Sequence, residues 1–395
     1  MQHKIQALRL LAAARPGNAV TRRILDEGLS VEQIWDEQIM AAHGIRPLKP
    51  SSYEQAQQLL ERAMQAGMTV ITMWDREYPP LLRQIYAPPA VLFAKGTVPD
   101  WERAPAVSLV GTRDCSEQSC DIAHALAQGL AAAGAVVVSG GARGIDRAAH
   151  LGALQAGGIT VDVMPCGIDV SYPAENHMMR QDIVQHAGLL LSEYPPGTRV
   201  TKGAFSMRNR LLAGISAATC VVEAPQRSGA LITARWARDQ GRDLYVVAGA
   251  LSDERYAGSY ELLREGADLL LDAGQILEGL QGRFAGEFDA DTARRVQVQA
   301  MQQMRHPVTE EQTPPVTAPA DEPMQRVECP DYASDAAKQM YHFLTDGPLP
   351  LAQLAEQAGC AVGEALAQMT ELEILGCVVP LPGPAYAIKE TGRIR

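Results

Sequence analysis

Residues 139–146 read "SGGARGID", directly after the apolar run "AVVV". Glycines at the end of a strand leave main-chain N–H groups open to phosphate oxygens, and the N-terminus of a following helix adds partial positive charge. Gly140, Gly141 and Gly144 can form such a turn, and Arg143 can add a charge-assisted contact. A second turn of this kind, "EAPQRSGALITA", offers Ser228 and Gly229, and "GTR" places Arg113 after another apolar run. Between Glu193 and Glu223 no acidic residue occurs, while Arg199, Lys202, Arg208 and Arg210 accumulate, with Asn209 inside the "RNR" triplet. In a chain of formal net charge −11 that is a local positive patch. Phe205, one of only 5 phenylalanines, lies within it. An aromatic among cations on a loop suits stacking on a nucleobase. The same residue type also suits core packing, and the sequence alone leaves both open.

Other chemistries find less support. The turn after the first α/β strand, "GTRDCS", lacks GxGxxG, and the second strand ends in "SGG" where a ribose 2′-OH would want an acid. No GxxxxGK[ST] loop occurs, so neither a dinucleotide cofactor nor ATP hydrolysis is expected. Asp146 and His150 stand at i, i+4 but lack further ligands for a metal. Asp146 reads as a capping carboxylate that holds its turn in shape, and His150 as a packed or hydrogen-bonded histidine. Ser139 and Ser228 have no histidine base at a fixed spacing. Glu193 and Glu223 close two strands read as adjacent, which keeps carboxylate-pair chemistry on a glycosidic bond open.

These residues need a scaffold that gathers strand ends. From "YPPLLRQIYAPPAVLFAKG" onward the chain repeats strand, turn, helix: "AVSLVG", "AVVVSGG", "ITVDVMP", "LLLSEYP", "TCVVEAP", "DLYVVAG" and "DLLLD" are short apolar runs separated by helical-length segments. Strands buried on both faces and alternating with helices imply a doubly wound, mostly parallel α/β sheet of the extended Rossmann-like kind. In such a sheet ligands sit at the carboxyl ends of the strands, where the turns above lie. Residues 1–75 read as a small all-helical, SAM-like unit and 76–283 as the core. The span 284–333, rich in proline, glutamine and charge, reads as a flexible linker. Residues 334–395 read helix, turn, helix, turn, helix and two strands, a winged-helix-like order with the recognition helix at 361–375. That helix carries Glu364, Glu371 and Glu373 without lysine or arginine, which favours protein contact over duplex DNA.

Composition fits this division. A chain of 395 residues suggests two or three domains, and 47% hydrophobic residues suffice for a large core. The N-terminal stretch is a short amphipathic helix rather than an export signal, and no long apolar run is present, so a cytoplasmic protein without membrane contact is expected. The 7 cysteines form no CxxC pair and read as buried thiols without a metal role. An overall acidic balance, with pI near 5.3, argues against coating nucleic acid over the whole surface and leaves room for a local basic groove.

The ordered series "GTR", "SGGARGIDRAAH", "GIDVSYPAEN", "LLLSEYPPGT", "AFSMRNRLLAGIS", "VVEAPQRSGALITARWARDQGR" and "LLREGADLL" resembles the DNA-processing protein A family (DprA, also called Smf) across roughly residues 76–283. The resemblance implies a non-enzymatic protein that binds and shields single-stranded DNA during natural transformation, helps load the RecA recombinase onto it, and forms homodimers through its core. It places the family's phosphate-binding arginine on Arg113. Its glycine turn falls on Ser139, Gly140 and Gly144 with Arg143, and its lysine and stacking phenylalanine on Lys202 and Phe205. Arg208, Asn209 and Arg210 take its "RNR" element, and no cofactor is implied. Gly141 replaces an apolar residue of the family, Ser206 a proline and Ala248 another proline, which implies a looser turn and a less rigid loop before "RNR". A nucleotide phosphoribohydrolase of the lysine-decarboxylase-like fold is the enzymatic alternative, yet "SGALITARWARD" lacks the glutamate its second turn requires. A pure adaptor acting through the C-terminal domain would bind no DNA at all.

Overall fold

The computed structural model describes residues 1–14, 16–49, 51–286, 288–305, 325–330, 333–381 and 385–391. They fall into two compact units, 1–309 and 310–395.

The first unit begins with helices α1 (Gln2–Ala13), α2 (Val20–Asp26), α3 (Glu37–Ala42) and α4 (Tyr53–Gln65). The side chains of Asp36 and Ser52 accept first-turn N–H groups and so start α3 and α4. Ile5 and Leu8 on α1 and Leu60 and Ala63 on α4 are buried where the two helices pack. The helical segment ends sooner than the reading to residue 75. Thr69–Thr72 ("TVIT") is strand β1, the edge of the central sheet, paired antiparallel with β2 (Val91–Gly96). Every residue of "TVIT" is β-branched, but four residues are too few for a periodic signal.

The α/β core follows as β3 (Ala106–Val110), α5 (Glu117–Ala132), β4 (Val136–Ser139), α6 (Ile145–Gln155), β5 (Thr160–Met164), α7 (His177–Gln185), β6 (Leu189–Ser192), α8 (Lys202–Ile215), β7 (Ala218–Val221), α9 (Ala230–Asp239), β8 (Asp243–Val246), α10 (Ala257–Arg264), β9 (Asp268–Leu269) and α11 (Ala273–Gly279). The sheet has 9 strands in the order β1-β2-β6-β5-β4-β3-β7-β8-β9. From β6 to β9 neighbours run parallel, and β2 joins β6 antiparallel. Strands β3 to β7 are buried along their whole length, as a sheet covered on both faces requires. The chain steps outward from β3 to β6 and then crosses back to lay β7 on the other side of β3. The strand order therefore reverses between β3 and β7, and the connections leaving their carboxyl ends diverge to open a crevice.

The linker reading fails at its start. Ala290–Arg305 forms helix α12, which packs on α5 through the buried Ala293 and Ala300. Its inward face is built from alanines, too small to stand out against the glutamines and arginines that surround them. Residues 306–324 of the expected linker lie outside the described residues. The cysteines also divide. Cys166, Cys220 and Cys377 are buried free thiols, whereas Cys115 and Cys120, half-buried where α5 begins, are joined to each other as a disulfide.

The second unit contains β10 (Gln325–Arg326), α13 (Asp335–Phe343), β11 (Leu349–Pro350), α14 (Leu351–Ala358), α15 (Val362–Ile374), β12 (Val378–Leu381), β13 (Ala385–Ile388) and β14 (Glu390–Thr391). Three helices and a sheet of order β11-β13-β12 make the expected winged helix around Met340, Leu354, Met369 and Leu372. Ser334 caps α13 and donates its hydroxyl to the Glu371 carboxylate, a pairing that holds this carboxyl below its ordinary range.

Candidate functional site

The crevice between β3 and β7 is shaped first by how its loops are held. After β3, the Thr112 N–H donates to the Glu223 carbonyl at 2.8 Å. The Glu223 carboxylate, fully buried, accepts from the Ser116 N–H at 3.2 Å and the Ser116 hydroxyl at 2.8 Å. Ser116 in turn caps α5 by accepting from the Ser119 N–H. Gly144, just before α6, has φ +72° and lies so close to the carbonyls of Thr112 and Arg113 that a Cβ would strike them. The Arg113 loop is thus pinned from two sides while the Arg113 side chain stays exposed. Its guanidinium carbon stands 4.6 Å from the centroid of the Phe205 ring, within cation–π range. Tyr172 meets the same ring at 5.8 Å, tilted by 60°.

Two pockets share this wall. One, of about 430 Å³, occupies the switch point and is lined by Gly111, Arg113, Asp146, Phe205, Arg208, Ser228 and Gly229 among others. The other, of about 250 Å³, is lined by Arg113, Gly140, Arg143, Tyr172, Glu175 and Phe205. Arg143 is exposed and pairs loosely with Glu175 at 3.7 Å. The Ser228 hydroxyl accepts from the Ala230 N–H at 3.2 Å at the start of α9. Lys202 is exposed as the first residue of α8, one turn before Phe205 and on the same side of the helix. The cationic segment is therefore the beginning of a helix and not the loop expected. Ser206, in place of the family's proline, sits inside α8 and loosens no loop.

The structure withdraws several residues from bulk solvent, although Arg208 and Asn209 still line the switch-point pocket. Arg210 is 2% exposed, donates to the Ala87 carbonyl at 2.6 Å and pairs with buried Glu193 at 2.5 Å. Asn209 accepts from Arg208 Nε at 3.1 Å and donates to the Gly229 carbonyl. Arg208, 3% exposed, gives Nη1 to the carbonyls of Gly140 and Val163. Ser139 is fully buried and donates its hydroxyl to the Leu109 carbonyl at 2.7 Å. Gly140 is glycine for a different reason from the one expected: a Cβ there would overlap the Arg208 guanidinium. The space a phosphate was expected to fill on that side is taken by the protein's own arginine. In sequence an arginine triplet in an acid-free stretch looks solvated until its distant carbonyl partners are known.

Beneath the glycine turn lies a charged layer. Asp162, fully buried, receives Arg180 Nε at 2.8 Å, and Arg180 Nη2 and the Asn176 amide hold the Gly141 carbonyl. The turn is consequently braced, not loosened, at Gly141. Burial raises the carboxyl pKa of Asp146, with Arg208 opposing, and Asp146 accepts the Ala142 N–H at 3.4 Å, as a turn-holding carboxylate should. His150 is fully buried against Thr160, 2.8 Å away, and burial pushes its imidazole pKa down to about 4. Among the described residues no group of three or more His, Cys, Asp or Glu could hold a metal. The carboxylate pair also dissolves, because β6 and β7 are not neighbours. Three strands separate them, roughly 19 Å at the usual spacing and beyond the ~5–9.5 Å that glycosidic chemistry uses.

Residues 69–281 match the family model of DNA recombination-mediator protein A, beginning at the strand that starts the sheet, and 312–384 match that of the DprA winged helix domain. Protein Smf of Synechocystis is 32% identical over 339 residues, covering 83% of this chain and 82% of its own. The chain belongs to the DprA family. The DNA processing protein DprA of Bacillus subtilis is 36% identical over 231 residues, covering 58% of this chain and 77% of its own. The crystal structure of DNA processing protein A from Streptococcus pneumoniae superposes with a TM-score of 0.58 at 33% identity, over 73% of this chain and 99% of that one. Two contributors to this DprA core escaped the sequence reading. Tyr172 lay in the quoted "GIDVSYPAEN", and its proline-rich context hid that it meets Phe205. Glu223 was weighed as an acid but holds the Arg113 loop.

Proposed function

We propose that this DNA-processing protein binds single-stranded DNA without sequence preference along the groove at the carboxyl ends of the strands. The observation that carries this reading is the Phe205 ring between Arg113 and Tyr172 at the shared wall of the two pockets. A base can stack on an aromatic face of this kind whatever its identity, while Arg113, Arg143 and Lys202 are exposed for phosphates. Arg113, Gly144 and the helix start at Ser228 and Gly229 would line the strand's path. Following the family likeness, the bound strand is incoming DNA, shielded and handed to the RecA recombinase during natural transformation in the cytoplasm. The protein acts as a binding mediator and not as an enzyme.

The homodimer reading gains support at the far edge of the sheet. Among the described residues β9 pairs on one side only; Leu269 on it and Leu271 just after it are 45% and 76% exposed, and Leu251 in the turn after β8 is 89% exposed. A second copy would cover this apolar edge and set two grooves on one particle, raising effective affinity through linkage. On the winged helix, α15 exposes Val362 and Leu366 on the same side as Glu373, a face suited to protein contact. Gel-shift and light-scattering measurements with single- and double-stranded oligonucleotides test the central claim. Binding restricted to, or much tighter for, the single strand is expected. Equal affinity for duplex, or no binding by a folded protein, would overturn it.

A further inference from the structure

The pocket at the switch point carries a feature that stacking and strand threading do not use. Arg208 lies on its lining, is 97% buried by its 3% exposure, and forms no ion pair closer than 4 Å among the described residues. Its Nε and Nη1 serve Asn209, Gly140 and Val163, while among the described residues Nη2 has no protein hydrogen-bond partner and keeps some access to solvent. A guanidinium this deeply set is poorly hydrated and lacks a paired charge, and an anion arriving in the pocket supplies one. The N-terminus of α9, a 10-residue helix, opens on the same pocket at Ser228 and Gly229, with Arg113 and Arg227 at its rim. Asp146 also lines this pocket, with burial raising its carboxyl pKa and Arg208 opposing. A volume of about 430 Å³ is more than inorganic phosphate needs and within the range of small-ligand sites, and Phe205 and Ile232 give the wall an apolar surface.

We propose that this pocket binds one nucleotide through a terminal phosphate monoester, seated between Arg208 Nη2 and the start of α9, with its base or sugar against the Phe205 wall. A monoester carries close to two negative charges, against one for the diester linkages inside a strand, and so answers both the buried arginine and the helix terminus. Its source is a free nucleoside monophosphate or the phosphorylated end of a DNA strand. The inference deepens the strand-binding reading by assigning the crevice a ligand of its own.

The test is calorimetric titration of the full chain with dAMP, deoxyadenosine, 5′-hydroxyl dT20 and 5′-phosphorylated dT20. Saturable dAMP binding is expected, with deoxyadenosine at least tenfold weaker. Ser228→Asp keeps an acceptor for the Ala230 N–H, so the helix start survives, but places a carboxylate where the phosphate sits. It should weaken dAMP at least tenfold at unchanged thermal midpoint. Arg208→Lys, checked by the same midpoint, should do likewise if it folds. A tighter fit of phosphorylated over hydroxyl dT20, erased by Ser228→Asp, assigns the site to strand ends. Equal binding of the two oligonucleotides alongside tight dAMP assigns it to free nucleotides. Absence of dAMP binding, indifference to the phosphate, or full dAMP affinity in Ser228→Asp overturns the proposal. Hydroxyl dT20 binding without dAMP binding removes only this inference, and dAMP binding without dT20 binding removes only the strand reading.

Discussion

The salt dependence of single-strand binding separates groove cations from structural ones. Single-stranded nucleic acid releases about 0.7 counterion for each phosphate neutralised, so the slope of log K against log salt counts contacts. Arg113, Arg143, Arg199, Lys202 and Arg227 are exposed around the groove, whereas Arg208 and Arg210 are buried. If every exposed cation meets one phosphate, the slope for a 5′-hydroxyl oligonucleotide is about −3.5 per subunit, an affinity loss of roughly a hundredfold between 50 and 200 mM salt. Counting the buried pair as well would steepen it to about −5. Arg113→Ala should bring the slope to about −2.8. Phe205→Ala should leave the slope within error and weaken binding by ~1–3 kcal/mol, roughly 5- to 150-fold, because stacking releases no counterions. Fluorescence anisotropy at four or more salt concentrations reads all of this. A parent slope near −5, or a Phe205→Ala slope shifted by a full contact, would refute the division of the arginines.

Other outcomes follow from the same geometry. Glu193→Ala leaves Arg210 buried at 2% exposure without its partner, and should cost about 3–5 kcal/mol in urea unfolding of the core. A loss below about 1 kcal/mol would mean that Arg210 reaches water. His150 has a folded pKa of about 4 against an ordinary 6.5, so the unfolded chain takes the proton first as pH falls. The contribution of its neutral state is complete above pH 6.5 and declines through pH 4, by roughly 2–3 kcal/mol at pH 4.5. Asp162, Arg180 and Arg208 are the charges nearest this ring. Comparing urea midpoints at pH 7.5 and 4.5, His150→Gln should show a correspondingly smaller drop than the parent. Leu271→Glu, altering a side chain 76% exposed beside the open sheet edge, should convert a dimer to a monomer in light scattering while the far-UV circular dichroism of the folded chain is unchanged. A dimer that persists at low micromolar concentration would place the interface elsewhere.

The alternation of short apolar runs with helical segments made the sheet legible, because each run is bounded by glycine, proline or polar turns that survive in one dimension. Residues that act through their immediate neighbours were legible too: Asp146 holds its own turn four residues away. What escaped depends on partners remote in the chain. Arg208 finds the Gly140 carbonyl across 68 positions, and Ser116 finds Glu223 across 107. Strand order escaped as well, since the crossover that lays β7 beside β3 separates Glu193 from Glu223 and no local pattern records it. Phe205 was placed correctly on a cationic segment but on the wrong element, because glycine at 203 and serine at 206 weaken the helical signal of α8.

The withdrawn arginines still bear on the groove. The carboxyl edge of a parallel sheet ends in carbonyl oxygens, whose partial negative charge is hostile to phosphate. Here those ends are covered from within: Arg208 reaches the carbonyls of Gly140 and Val163 beyond β4 and on β5, and Arg180 reaches that of Gly141. Each guanidinium satisfies carbonyl lone pairs that would otherwise face the ligand, and its charge remains close beneath the crevice floor. Toward the diester phosphates inside a strand these residues therefore act from beneath, favouring anions without the exposed contacts that Arg113 and Lys202 offer. Their removal should lower affinity at every salt concentration by a similar factor, whereas removal of Arg113 or Lys202 changes the salt dependence itself. The acid-free stretch from 194 to 222 thus supplies two kinds of cation, one that holds the strand ends and one that stays exposed at the groove.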